Sequence, residues 1–286
     1  MRFQCRVFEM KRSTVKIIQS TIAVISNVAP GLCARLALRQ WFKTHRHHAP
    51  EREVAWASTA RQINIPSEHG ELNALIWPSA GPKIVLVHGW SGRASQMGAF
   101  AKPLNDAGFE VIAVDLPGHG ASYGNTGSIP VSAQALSDVE QHFGSIHALI
   151  GHSFGGAVCL LAVAEGLQVQ AVVTIGSPSK LEWLLDIYVK YLHFGSTAKR
   201  KLAQLLEQKL GADIWKRCDV EFTGPDFKTK VMVIHDSNDK EVPEYHADII
   251  ANACSAKLLK TSGLGHRRIL RNQAVMEEIV NFVSVE

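Results

Sequence analysis

Two stretches of helical periodicity open the chain. Apolar residues recur every three or four positions in the first stretch: Val15, Ile18, Ile22 and Ile25. Such spacing places side chains on one face of an α-helix. Pro30 and Gly31 interrupt the pattern, which predicts that the helix ends there. A second helix is predicted after the break, with an apolar face opposed by basic residues: Leu32, Leu36 and Phe42, opposite Arg35, Arg39 and Lys43.

From residue 63 onward the pattern changes to short β-branched runs that alternate with helical segments. This alternation is typical of strands joined by crossover helices in a mostly parallel sheet, so the predicted fold class is α/β. The predicted strands lie at 73–77, 83–87, 110–114, 147–150, 169–175, 230–234 and 257–260. The predicted helices of this part lie at 96–107, 131–143, 155–165 and 273–283.

Leucine and aromatic residues at helical spacing fill the stretch between residues 177 and 228. We interpret it as a helical insertion over the sheet. The chain is therefore predicted to have three parts: a basic helical N-terminal extension (1–62), a core (63–176 and 229–286) and the insertion (177–228).

The composition is that of a globular protein, with 286 residues, of which 46% are hydrophobic and 20% charged. The most apolar run, 17–28, contains five polar residues, so a membrane-spanning helix is not expected. The five cysteines are scattered and never form a C-x-x-C pair, which predicts reduced thiols in the cytoplasm and neither disulfides nor a metal site. These are Cys5, Cys33, Cys159, Cys218 and Cys254.

The formal net charge of +4 conceals an asymmetry. Residues 1–62 hold eleven basic and three acidic residues, whereas the remainder holds 19 basic and 23 acidic residues. We therefore expect the catalytic residues in the acidic remainder of the chain and a docking surface in the basic N-terminal segment. No nucleic-acid partner is expected. Three interpretations of the basic N-terminal segment stay open: a signal peptide, a helix that makes weak contact with a membrane surface, and a helical arm packed on its own domain. Translation could begin at Met1 or at Met10.

The strongest local motif is G-x-S-x-G at residues 151–155, directly after a predicted strand and directly before a predicted helix. In that context the serine occupies a sharp, strained turn that exposes its hydroxyl, and larger side chains at Gly151 or Gly155 would collide with neighbouring backbone. Ser153 is the predicted nucleophile. The alternative is a glycine-rich turn with a capping serine.

A serine hydroxyl is a poor nucleophile at neutral pH, so it needs a base to accept its proton and an acid to orient that base. His266 follows the last predicted strand in a glycine-rich loop, and Asp239 follows the strand that ends at Ile234. We predict that His266 is the base and Asp239 the acid, with Asp236 as the rival acid. Asp115 is expected to bind loop backbone, and His119 and His152 are expected to be structural parts of their turns.

Negative charge on a tetrahedral intermediate needs hydrogen-bond donors. Gly89 and Trp90 follow the predicted strand 83–87, and the glycine allows the backbone N–H of Trp90 to point toward the serine. The N–H of Phe154, next to the nucleophile, is the second predicted donor. The alternative for this turn is a strand-to-helix connection with a core tryptophan.

Together these motifs make the chain from about residue 63 onward resemble the α/β-hydrolase superfamily, and more finely a bacterial esterase-like subgroup. The matching segments are 88–90, 115–120, 151–156, Asp239 with 242–243, and 265–266, followed by the run 267–270. The resemblance implies an eight-stranded, mostly parallel sheet, no cofactor, and a lid at 177–228. A serine at this turn implies an acyl-enzyme and so cleavage of a small to medium carboxylic ester.

The lid is expected to contribute walls of an apolar acyl pocket, because its aromatic and leucine content exceeds what a polar surface insertion needs. The residues expected to bind substrate are Trp90, Trp183, Tyr188, Tyr191 and Leu192. The expected partner is thus a small-molecule ester. Thioesterase, amidase and carbon–carbon bond hydrolase are alternative activities, and a ligand-binding protein without turnover is the alternative from another class.

Overall fold

The computed structural model describes residues 12–68 and 70–284, and within the first helix it describes side chains from Gln19 onward. Cys5 and both candidate start residues, Met1 and Met10, lie outside the described residues. The chain forms two compact units. Among the described residues, a helical unit comprises 12–43 and 180–219, and an α/β unit comprises 44–68, 70–179 and 220–284. None of the described helices combines the length and the hydropathy needed to cross a bilayer.

The α-helices are α1 (Arg12–Val28), α2 (Pro30–Trp41), α3 (Glu51–Ala57), α4 (Ala101–Asp106), α5 (Ile129–Phe143), α6 (Phe154–Ala164), α7 (Leu181–Tyr191), α8 (Ser196–Leu210), α9 (Ile214–Arg217), α10 (Val220–Thr223), α11 (Tyr245–Ala253), α12 (Gly265–Arg268) and α13 (Gln273–Ser284). The strands are β1 (Arg61–Ile65), β2 (Leu72–Trp77), β3 (Lys83–Val87), β4 (Glu110–Val114), β5 (Ile146–His152), β6 (Ala171–Ile175), β7 (Lys230–Asp236) and β8 (Lys257–Thr261). Short 3₁₀ helices lie at Ala94–Phe100, Gly224–Asp226 and Ile269–Arg271.

The α/β unit is built on one eight-stranded sheet with the order β1-β2-β4-β3-β5-β6-β7-β8. The first two strands run antiparallel to their neighbours, and the other pairs are parallel. The predicted α/β fold with a mostly parallel eight-stranded sheet is confirmed. Because parallel strands present their carboxyl ends at the same edge, the segments after β3, β5, β6 and β7 are brought together there.

Burial on both faces explains why the central strands are continuous apolar runs. Strands β3 and β4 were predicted with their observed bounds, and all residues of β6 are buried. One cluster of apolar side chains covers one side of the sheet and includes Met97, Phe100, Leu104 and Ile279 from the flanking helices. The core therefore fixes the strand ends that carry the candidate site.

The predicted N-terminal boundary is wrong in one respect, since the chain before residue 63 is not all helical. Arg61 begins β1, and α3 belongs with the sheet in the α/β unit. The strand escaped sequence analysis because it is a short edge strand whose polar residues are exposed. The predicted helix at 96–107 is also different, because it begins as the 3₁₀ helix Ala94–Phe100 and continues as α4.

In the helical unit, α2 packs through a face that the sequence pattern did not indicate. Its buried residues are the small ones, Cys33, Ala34 and Ala37, and the two alanines belong to a cluster that includes Leu202 and Leu206 of α8. Small side chains allow the two helix backbones to approach closely. The predicted apolar face containing Leu32 and Leu36 is instead exposed, although Phe42 is buried as predicted.

Candidate active site

Ser153 occupies the turn between β5 and α6 with φ of 54° and ψ of −120°. A positive φ is costly for a residue with a side chain, so the neighbouring structure must hold this turn in place. A Cβ atom at Gly151 would collide with the carbonyl group of Gly155, and one at Gly155 would collide with the carbonyl oxygen of Val87. The two glycines are therefore required where the motif places them.

Ser153 lies in a closely packed turn, and the residue as a whole is only 4% exposed. The turn after β3 closes against it, and a Cβ at Gly89 would lie 3.3 Å from the Cβ of Ser153. Glycine at this position lets the backbone of residues 89 and 90 approach the serine. The ring of Trp90 then packs edge-on against Phe154, with the centroids 5.0 Å apart. Both predicted oxyanion donors thus belong to residues that adjoin Ser153.

His266 and Asp239 meet directly across two loops. The Nδ1 atom of His266 lies 2.6 Å from Oδ2 of Asp239, while the other carboxylate oxygen accepts hydrogen bonds from the backbone N–H groups of Glu241 and Val242. Burial alone would raise the pKa of Asp239, but these hydrogen bonds and the neighbouring imidazole outweigh it and lower the pKa. Asp239 is therefore held as a carboxylate beside the imidazole.

Asp236, the rival acid, contacts loop atoms instead of the imidazole. Its carboxylate accepts hydrogen bonds from four groups: the backbone N–H groups of Asn238, Leu264 and Gly265, and the hydroxyl of Thr261. Burial would raise the pKa of Asp236, but these donors lower it. Asp236 thus holds the loop that presents His266. Asp115 likewise accepts from the N–H groups of Ala94 and Ala121, as predicted for a loop-binding residue.

Two contacts place His266 beside the serine turn. His152, the residue before Ser153, has its Nε2 atom 2.9 Å from the carbonyl oxygen of His266, and the two imidazoles contact each other at a tilt of 47° with centroids 4.6 Å apart. The N–H of Ser153 donates to the carbonyl of Ile175, and a Cβ at the next residue, Gly176, would lie 3.2 Å from Nδ1 of His266. The structure therefore gathers the three predicted side chains at one edge of the sheet.

Glu241 lies on the other side of the imidazole. One of its carboxylate oxygens is 4.0 Å from Nε2 of His266, and the other is 3.4 Å from Nε of Arg267. The carboxylate is largely buried, whereas the arginine is mostly exposed. Glu241 consequently places negative charge next to the nitrogen that would exchange protons with the serine.

Three buried histidines surround this site in the neutral form. His88 lies under the turn at residues 89–90, where its Nε2 atom accepts from the N–H of Leu116 and its Nδ1 atom is 2.7 Å from the carbonyl oxygen of Gly89. Burial lowers the pKa of His88 well below its usual value. Burial also lowers the pKa of His119 to about 4, and that of His152 to about 3 with a further contribution from His266.

These histidines predict a marked loss of stability at acid pH. The unfolded chain binds a proton at each imidazole below about pH 6.5, whereas the native state keeps these imidazoles neutral. The contribution of each neutral imidazole to the free energy of unfolding is therefore complete above that pH and decreases as the pH falls. At pH 5 His119 and His152 each lower the free energy of unfolding by about 2 kcal/mol. Urea unfolding at pH 7.5 and pH 5 measures the difference. In His119→Gln this difference should shrink by about 2 kcal/mol, and an unchanged difference would contradict a neutral His119.

Several residues that build the site are not predicted from the sequence. His152 was expected only to shape its own turn, yet it also holds the backbone of His266. His235 is fully buried, with its Nε2 atom 2.9 Å from the carbonyl of Val242 and 3.6 Å from Oδ2 of Asp239. Its position in β7, before the acid loop, was the available signal. Glu241 could have been noted from its place two residues after Asp239.

The four predicted lid residues belong to the helical unit. Tyr188 is in its core, where the hydroxyl donates to the carbonyl of Ala37 and the ring contacts Trp41 at 5.1 Å. Leu192 packs against the same cluster, and the backbone carbonyl of Tyr191 accepts from Gln19. Packing within the helical unit accounts for the burial of Tyr188, so its predicted role as a pocket wall is not needed to explain it. The pocket roles of Trp183, Tyr191 and Leu192 stay predictions.

The residues that the structure describes contain no group of three His, Cys, Asp or Glu side chains arranged to hold a metal ion.

Comparison with known sequences gives a family match. A sequence model of the alpha/beta hydrolase family matches residues 84–278. A serine hydrolase-like protein from Danio rerio is 30% identical over 105 residues, which cover 35% of this chain and 32% of that protein. The chain thus aligns with about a third of the length of this curated relative.

Solved structures share the fold at low sequence identity. An esterase from Exiguobacterium antarcticum has a TM-score of 0.60 at 16% identity, with 79% of this chain and 100% of that chain covered. Mouse alpha/beta hydrolase domain-containing protein 10 has a TM-score of 0.63 at 15% identity, covering 78% and 97%. A meta-cleavage product hydrolase from Pseudomonas fluorescens has a TM-score of 0.59 at 16% identity, covering 77% and 96%.

Proposed function

Because the chain belongs to the alpha/beta hydrolase family, we propose that it is a serine hydrolase that cleaves a small to medium carboxylic ester through an acyl-enzyme. The observation that carries the proposal is the contact of 2.6 Å between His266 and Asp239, beside a serine on a strained turn. Strain, an imidazole and a buried carboxylate at one place are the parts that activate a hydroxyl for attack.

In the first half of the reaction, Oγ of Ser153 attacks the ester carbonyl carbon and its proton passes to Nε2 of His266. Asp239 accepts the hydrogen bond from Nδ1–H, which fixes the tautomer and stabilises the imidazolium as it forms. The negative charge that develops on the carbonyl oxygen is stabilised by the N–H groups of Trp90 and Phe154. Collapse of the intermediate breaks the bond to the alcohol, which leaves with the proton from His266.

In the second half, water replaces the alcohol. His266 takes a proton from the water as it attacks the acyl carbonyl, and returns that proton to Oγ of Ser153 when the acid leaves. The same two N–H groups stabilise the second oxyanion. The chain's own residues therefore account for every proton transferred, and the proposed reaction requires no cofactor.

Several related activities would use the same parts. A thioester, an amide or a carbon–carbon bond next to a carbonyl differs from an ester in its leaving group. Enzymes that cleave these bonds would therefore differ in the substrate pocket and share the same triad. The Exiguobacterium antarcticum esterase and the Pseudomonas fluorescens hydrolase show that different chemistries share this fold.

Cytoplasmic location is part of the proposal, supported by the four described cysteines, none of which forms a disulfide.

A fluorophosphonate reagent tests the proposal directly, since it labels only an activated serine. We expect covalent labelling at Ser153, followed by turnover on a panel of neutral esters of increasing acyl chain length and their thioester counterparts. An absence of labelling would favour a ligand-binding protein, whereas labelling without turnover of these substrates would favour the amidase or carbon–carbon bond hydrolase alternative. Faster turnover of thioesters than of matched esters would favour the thioesterase alternative.

Glu241 leads to a prediction about substrate charge. Its carboxylate next to Nε2 of His266 should repel an anionic group on the substrate, and one unit charge at about 4 Å changes a rate by about fivefold even in a water-like medium. Glu241→Gln should therefore raise kcat/KM for an ester with a carboxylate on its acyl chain, relative to its neutral analogue, by up to about fivefold, the value for a substrate charge as near to Glu241 as the imidazole is. Glu244→Gln is the matched control, because Glu244 pairs with Lys260 instead. Equal effects of the two substitutions would rule out a charge role for Glu241.

A further inference from the structure

The two N-terminal helices leave large apolar side chains on the surface of the helical unit. Val24 and Val28 of α1 are 64% and 81% exposed, and Leu32 and Leu36 of α2 are each 55% exposed. The members of each pair are four residues apart and so share one face of their helix. Only Ala29 separates the helices, so the two pairs follow each other along the chain. We call these four residues the exposed apolar set.

Internal packing does not explain the exposed apolar set. The opposite face of α2 makes the contacts of the unit, through small side chains such as Ala34 and Ala37. Valine and leucine at positions that face solvent lower solubility with no gain in packing. Grouped large apolar side chains on a surface therefore indicate a site that another body covers.

The charged residues of α1 and α2 are all basic. Arg35 and Arg39 alternate with the leucines on α2 and are exposed. The side chain of Lys201 on α8 lies beside Gly31, where a Cβ would be 3.9 Å from its Cδ atom. The sequence contains no acidic residue between Glu9 and Glu51. The two helices that carry the exposed apolar set thus contribute only positive charge to the surface.

We propose that α1 and α2 dock through the exposed apolar set on an anionic lipid bilayer, with the apolar side chains in the boundary between headgroups and acyl chains and the basic side chains on lipid phosphates and carboxylates. Helices that lie in that boundary combine an apolar face with lysine and arginine beside it. A second copy of the chain fits poorly, because a two-fold contact would oppose Arg35 and Arg39 to like charges. The set also lacks the tryptophan and tyrosine anchors that dominate protein interfaces.

Co-sedimentation of the full chain with lipid vesicles tests the proposal. We expect binding to phosphatidylcholine vesicles that contain about one third phosphatidylserine, weak binding to pure phosphatidylcholine, and a decrease as salt is raised. Leu32→Ser with Leu36→Ser should reduce the binding constant by about tenfold or more, because two buried leucines contribute a large transfer free energy. Arg35→Gln and Arg39→Gln should each reduce it by about fivefold.

Val54→Ser is the matched control, since Val54 is also 55% exposed but lies on α3 of the α/β unit. It should bind vesicles like the unaltered chain, and thermal unfolding checks that all variants are folded. Equal binding by the leucine variant and the control would overturn the proposal. So would an absence of vesicle binding, including the case in which light scattering shows a dimer that the leucine substitutions dissociate.

Discussion

Ser153→Ala is expected to reduce ester hydrolysis by about a thousandfold or more and to abolish fluorophosphonate labelling, because no other group can form the acyl-enzyme at this turn. The fold should persist. Alanine tolerates the φ of 54° at residue 153 no better and no worse than serine does, and the glycines at 151 and 155 that shape the turn are retained. Thermal unfolding should therefore stay close to that of the unaltered chain.

Both kcat/KM on a neutral ester and the extent of fluorophosphonate labelling are measured for the unaltered chain and for Ser153→Ala. A neighbouring serine provides the control. Ser177 is buried beside Gly156, within the same region of the sheet, and Ser177→Ala should remain fully labelled at Ser153. Retention of more than about a tenth of the original rate by Ser153→Ala would mean that the nucleophile lies elsewhere, since losses at a nucleophile are far larger.

The sequence predicted the central fold well because local signals and burial agree there. Strands such as β3 and β4 are continuous apolar runs, and the glycines around Ser153 fix a turn that few other sequences can form. The contact between His266 and Asp239 was predictable from chain order on this architecture. Edge strand β1 was not, because Ile63 and Ile65 alternate with exposed polar residues over too few positions to identify a strand.

Residues that support the site through tertiary contacts left little trace in the sequence. The hydrogen bond between His152 and the carbonyl of His266 joins positions 114 residues apart, and no local pattern predicts such a distance. The face of α2 that packs was also missed, because Leu32 and Leu36 form the stronger hydrophobic pattern while alanine makes the contacts. Helix periodicity identifies an apolar face, but the partner helix selects the face that is buried.

Asp239→Asn is expected to reduce kcat by about a thousandfold to ten-thousandfold with little change in KM. The asparagine side chain keeps the shape of aspartate but cannot supply the negative charge that stabilises an imidazolium, and its amide group favours the wrong tautomer of His266. The hydrogen bonds that Oδ1 of Asp239 accepts from the N–H groups of Glu241 and Val242 can be kept by the amide oxygen. The loop should therefore remain folded while the reaction slows.

Asp236→Asn separates the orienting role from loop stability. Asp236 accepts four hydrogen bonds, from Asn238, Thr261, Leu264 and Gly265, and an amide nitrogen in place of one oxygen would face donors. We expect the free energy of unfolding to fall by about 1–3 kcal/mol for each donor left unpaired, with kcat of the folded enzyme reduced by less than about tenfold. Rates are compared at a temperature where both variants are folded. If Asp236→Asn instead lost more activity than Asp239→Asn, Asp236 would be the orienting acid and the contact between Asp239 and His266 would be structural.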